Sequence, residues 1–137
     1  MAMTLGTAGQ MPDMIINGKF LQGTQGFVLG ANWAVVPTKF GYGMQHTAGA
    51  IESFSQTAVK TTLTSVTYHF YVHLSDVTAG TLTVHEGSGA TGTVLSAIGD
   101  QNWDEVFTTD KVLSFTPSTD FNGTVDVIVV RALKTQP

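Results

Sequence analysis

From Ser65 to Ser75 the chain alternates without a break: Val66, Tyr68, Phe70, Val72 and Leu74 stand against Thr67, His69, Tyr71 and His73. A period of two sends successive side chains to opposite faces of an extended backbone, so one face of this segment belongs to a core. The alternation resumes after Asp76-Val77-Thr78-Ala79-Gly80, with Leu82 and Val84 set against Thr81, Thr83 and His85. This predicts the return strand of a hairpin with a longer loop. With Leu74 opposite Leu82, Val72 falls opposite Val84 and His85 falls opposite Tyr71.

The last apolar segment, Thr124 to Arg131, has Val125, Val127 and Val129 on one side and Asp126, Ile128 and Val130 on the other. Its second half is apolar on both faces, so it is expected to be central or covered on both sides. Shorter strands are predicted at 32–36, 43–47, 51–58, 93–97, 103–107 and 112–115, separated by turn signals such as Asn17-Gly18 and Asn122-Gly123. No long stretch carries a helical period. At 137 residues the chain has the length of one domain. About eight or nine short strands at near-regular spacing predict an all-β fold, a two-sheet antiparallel β-sandwich of jelly-roll type. It is expected to span 14–137, behind an extended N-terminal arm at 1–13 that has no period of its own.

Composition narrows the function. Charged residues make up 12%, the net charge is −4, and the 6 Lys and Arg are scattered singly, which argues against nucleic-acid binding. No apolar run approaches the roughly 20 residues of a membrane helix, and no basic, apolar leader opens the chain. No membrane partner is expected, and synthesis in a cytoplasm is. Asp76, Asp100, Asp110 and Asp120 read as turn formers through Asx hydrogen bonds. There is no Gly-x-Ser-x-Gly elbow, no Cys and no His-x-His pair, and Gly87 to Gly92 lacks the Lys-Ser/Thr ending of a phosphate loop. His69 and His73, four residues apart on one strand, are too far from each other to share an ion. No catalysis, metal or other cofactor is expected.

Two groups of residues are candidates for contact. His69, Tyr71, His73 and His85 share a face in the hairpin register, an aromatic and polar surface suited to a sister subunit. Met1, Met3, Leu5 and Met11 give the arm flexible apolar groups for a partner's groove, and an extended arm of that length spans roughly 40 Å. A sugar-binding alternative needs exposed flat rings, for which the candidates are Tyr42, Tyr71 and Trp103. Trp33, alternating with Val35, is expected to point inward, and Trp103 reads first as a lid on the sandwich.

Ile15-Ile16-Asn17-Gly18-Lys19-Phe20, then Gln22-Gly23-Thr24-Gln25-Gly26-Phe27 and Asn32-Trp33-Ala34-Val35, resemble the opening of the carbohydrate-binding-module-like jelly rolls. Leu113 to Asp126 is similar to the last hairpin of the same superfamily. Together the two matches imply one such domain over nearly all of 14–131. Lys19 stands where relatives commonly have an acidic residue and Phe27 where a tryptophan is usual, which leaves a calcium or sugar role at those positions unassigned. Similar domains serve as accessory modules of glycoside hydrolases, in bacteriophage tails, and as free-standing capsid cement proteins. With no fused domain or export signal in view, the resemblance implies a non-enzymatic virion protein on the outer capsid surface, made in the host cytoplasm. Its partners would be the major capsid protein and copies of itself, as dimer or trimer. The alternative is a carbohydrate-binding domain, as a tail adhesin or an accessory module.

Overall fold

A computed structural model describes residues 13–39, 41–57, 66–87, 91–107 and 112–133. Its strands are β1 (Val28–Leu29), β2 (Trp33–Thr38), β3 (Gly41–His46), β4 (Phe54–Thr57), β5 (Thr67–Ala79), β6 (Leu82–Glu86), β7 (Thr93–Leu95), β8 (Gly99–Val106), β9 (Val112–Pro117) and β10 (Asn122–Ala132). They form two five-stranded sheets, β1-β4-β9-β6-β7 and β2-β3-β10-β5-β8, antiparallel throughout. This is the all-β sandwich of jelly-roll type that the alternation predicts. For brevity these are the β9 sheet and the β5 sheet.

The core is where the apolar halves of the two sheets meet. β5 contributes Tyr68, Phe70, Val72 and Leu74, β6 contributes Leu82 and Val84, and β9 contributes Leu113 and Phe115, all buried. Each such side chain stabilises the fold by about 1.5–3 kcal/mol when removed from water. Aromatic pairs fix the spacing: Phe54 stacks on Phe115 at 4.5 Å, and Trp33 meets Phe54 edge-on at 4.5 Å. Trp33 is inward as expected, with its indole N–H donating to Glu52 O at 2.7 Å.

The hairpin expectation is corrected. β5 and β6 share the interior but lie in opposite sheets: Leu74 is opposite Val125 and Gly99, whereas Leu82 is opposite Leu95 and Pro117. Val72 likewise faces Ile128 and Gln101, and Val84 faces Phe115. Residues read as a loop extend β5 to Ala79, and the chain crosses the sandwich at Gly80. There φ is +77°, and a Cβ would lie 2.5 Å from the Phe121 backbone, so glycine suits this crossing on both counts. Period two assigns a strand its inner face but does not choose its neighbour.

β10 is central in its sheet, between β3 and β5. Its faces differ from the simple alternation, because register shifts against β5 leave Asp126 as an extra residue between Val125 and Val127. Val125, Ile128 and Val130 are therefore buried, while Val127 and Val129 are half-buried on the outer side. The segment before β1 completes the β5 sheet beyond the end of β3. Asp13 bridges to Arg131, Met14 N donates to Val130 O, and Ile128 N donates to Gly18 O at 2.9 Å. A Cβ at Gly18 would sit 2.2 Å from Ile128 O, so only glycine permits this approach. Asn17 then organises the following turn, donating to Gly23 O and Gln25 O and accepting from Gln22 N. Phe20 fills the core at that end, against Phe27 and Phe54.

Candidate functional site

The outer face of the β5 sheet gathers the polar side chains that the core rejects. The β5–β8 register sets His69 opposite Asp104, Tyr71 opposite Asn102 and His73 opposite Asp100. On the other flank β10 sets Arg131, Val129 and Val127 opposite the same three residues. Paired residues share a face, so these rows lie side by side across three strands.

Hydrogen bonds tie the rows together. His69 Nδ1 lies 2.7 Å from Asp104 Oδ1, and its Nε2 lies 3.0 Å from Asn102 Oδ1. Both ring nitrogens thus face acceptors, which suits the doubly protonated ring. The Asp104 hydrogen bond, with a smaller contribution from Asn102, raises the His69 pKa above its ordinary value. Tyr71 donates its hydroxyl to Asp100 Oδ1 at 2.7 Å. Partial burial, that hydrogen bond and the charges of Asp100 and Asp126 push the Tyr71 phenol up to about 12. His73 lies with Nδ1 at 2.5 Å from Asp126 Oδ1 and Nε2 at 3.9 Å from Asp100 Oδ1. Asp126 is only 6% exposed, whereas Asp100 is 65% exposed.

Two hollows border this face. One, of about 360 Å³, is lined by Lys19, Leu21, Gly41, Tyr42, Asp126 and Val127. The other, of about 370 Å³, shares Lys19 and Leu21 and continues to Val129 and Asp13. Lys19 and Leu21, in the turn organised by Asn17, line both.

The residues anticipated from sequence divide. His69, Tyr71 and His73 come together as expected. His85 does not join them: it lies on β6 in the other sheet, opposite Ser114, for the reason that displaced the hairpin. Tyr42, Tyr71 and Trp103 form no common platform. Trp103 faces inward, stacked on Phe70 at 5.4 Å, with its indole N–H donating to buried Glu86 at 2.7 Å. It closes the core as a lid. Tyr42 is 46% exposed at the start of β3, beside the hollow rather than beside Tyr71. Met1, Met3, Leu5 and Met11 lie outside the described residues.

The sequence reading missed Asp100, Asn102, Asp104 and Asp126 as members of this face. Asp100 was expected in a turn, but β8 begins at Gly99. Asp100, Asn102 and Asp104 themselves alternate with Gln101 and Trp103, a period-two signal masked by residues that disfavour strands. Asp126 reaches the face through the β10 bulge, which has no sequence signature here. Among the described residues no group of three or more His, Cys, Asp or Glu side chains is disposed to hold a metal ion.

No family model and no curated protein matches the sequence. Solved structures do match. A family 16 carbohydrate-binding module is similar at TM-score 0.61 and 13% identity, covering 86% of this chain and 99% of that one. TmCBM61 in complex with beta-1,4-galactotriose is similar at TM-score 0.54 and 14% identity, covering 88% and 99%. The enzymatically active domain of bacteriophage CBA120 tailspike protein 4 gives TM-score 0.59 at 9% identity, where 88% of this chain covers 21% of that one. At such identities the likeness is one of fold, and it is to the jelly roll of carbohydrate-binding modules.

Proposed function

We propose that this is a non-catalytic carbohydrate-binding domain, and that a single glycan chain lies along the outer face of the β5 sheet. The observation that carries the reading is the set of donors and acceptors aligned on that face, half-buried His69, Tyr71 and His73 beside exposed Asp100, Asn102 and Asp104. Such groups suit sugar hydroxyls, while half-buried Val127 and Val129 beside them offer apolar contact to ring C–H groups. Two of the structural neighbours are carbohydrate-binding modules, one of them solved with a bound trisaccharide, which supports the same reading.

Since the three aromatics do not converge, recognition rests on hydrogen bonds rather than on a stacking plane. That favours a soluble, single chain over a flat crystalline polysaccharide. The capsid-decoration expectation draws nothing from this face, and the bacteriophage neighbour is a tailspike, not a shell protein.

Isothermal titration against a panel of soluble oligosaccharides tests the proposal. The wild type is expected to bind at least one, and Tyr71→Ala to weaken that binding by about tenfold or more, about 1.4 kcal/mol, with an unchanged melting temperature. Failure to bind any oligosaccharide, together with co-sedimentation with empty phage heads, would overturn it in favour of the shell.

A further inference from the structure

We propose that His73 Nε2 and the Asp100 carboxylate form an acceptor pair that takes two adjacent hydroxyls of a neutral sugar. The inference rests on the glycan-binding reading and specifies its chemistry.

The β10 bulge places the buried Asp126 carboxylate against His73 Nδ1. An ionised carboxylate only accepts, so Nδ1 carries the hydrogen. A ring carrying its one hydrogen on Nδ1 has its lone pair on Nε2, directed toward β8, where Asp100 Oδ1 stands 3.9 Å away. Two acceptors face each other beyond hydrogen-bond range, and neither can satisfy the other. Asp100 already receives the Tyr71 hydroxyl on Oδ1, which holds the carboxylate in place and leaves its second oxygen to accept. The missing partners are donors. Adjacent hydroxyls of a pyranose supply them, one to Nε2 and one to Asp100. A uronate or sulfated sugar would meet Asp100 and Asp126 as like charges.

The groups facing His73 are Asp126 from β10, Asp100 from β8 and Tyr71 on its own strand. Lys19 lines the hollow beside Asp126. His69 sits two residues along β5 and is engaged by Asp104 and Asn102.

Titration calorimetry with neutral oligosaccharides, beta-1,4-galactotriose among them, tests the pair. Affinity is expected to fall about tenfold or more in His73→Lys, which can only donate, and clearly less in His73→Gln, whose amide oxygen accepts. Equal losses in the two variants, or no loss in His73→Lys, would overturn the acceptor pair while leaving glycan binding intact. Binding to no oligosaccharide would instead overturn the glycan reading, and this ligand with it. A readout free of sugar is the nitrogen spectrum of His73 in the unliganded protein: a neutral ring protonated at Nδ1 supports the pair, and one protonated at Nε2 overturns it.

Discussion

The two sheets share one interior and turn unlike surfaces outward. On the β9 sheet the residues alternating with the core include Ser55, Thr83, His85, Ser114 and Thr116, mostly short hydroxyl side chains, flanked by exposed Val28 and Val94, with Ser53 and Thr116 bonded to each other at 2.7 Å. On the β5 sheet the same positions hold His69, Tyr71, His73, Asp100, Asn102 and Asp104, linked across strands. The β9 sheet shows how little an outer face needs in order to fold: small β-compatible groups that leave water undisturbed. The longer ionisable side chains on the β5 sheet exceed that requirement, and one of their carboxylates, Asp126, is buried. That excess is what the proposed glycan-binding role would account for.

Mutations can break or sharpen this contrast. The largest effect is expected from His73→Ala, which strands the Asp126 carboxylate. A buried acceptor left without its hydrogen-bond partner costs about 1–3 kcal/mol, more when it is charged, so a loss of about 2–3 kcal/mol is expected in urea denaturation. Ser114→Ala on the opposite face should stay within about 0.5 kcal/mol, and similar losses for the two would erase the distinction. Next comes Asp100→Ala, for which calorimetry should register a glycan affinity lower by about tenfold, about 1.4 kcal/mol, against no change in Thr83→Ala.

Between the sheets, burial raises the Glu86 pKa, opposed by hydrogen bonds from Trp103 and Thr93. A carboxyl that holds its proton longer when folded makes stability decline as pH climbs from its unfolded value through its folded one. Glu86→Gln keeps an acceptor for Trp103 and should flatten that decline in melting temperature as pH rises above the ordinary carboxylate range. The smallest effect belongs to His69. Its raised pKa gives stability that is complete below the unfolded value of about 6.5 and lost as pH rises through the folded one. Since its side chain is 41% exposed, solvent screening limits this to a few tenths of a kcal/mol, approximately. A wild-type advantage over His69→Gln present at pH near 5.5 and absent near 9 would show it in thermal melts.

Much of this architecture was legible in the residues. The alternation of Tyr68, Phe70, Val72 and Leu74 identified the inner face of β5, and the valines of β10 identified a central strand. The Asn17-Gly18 turn and Phe20 marked the entry to the sandwich. What stayed hidden was partnership between strands, because one apolar stripe packs as well beneath a facing sheet as beside a neighbour in its own. Hence His85 was placed with Tyr71 when it lies in the opposite layer. The acidic half of the site was hidden differently: Asp100 and Asn102 carry strong turn preferences, and only pairing with β5 holds them extended. Asp126 depends on one surplus residue in β10, which shifts every side chain after it.

β8 is the outermost strand of the β5 sheet, and such a margin ordinarily invites another strand to pair with it. Asp100, Asp104 and Glu105 are spaced along it, so two copies meeting margin to margin would bring carboxylate against carboxylate. If the proposed glycan binding holds, molecules crowded along one polymer would be kept from zipping into fibres by a strand that also lines the binding face.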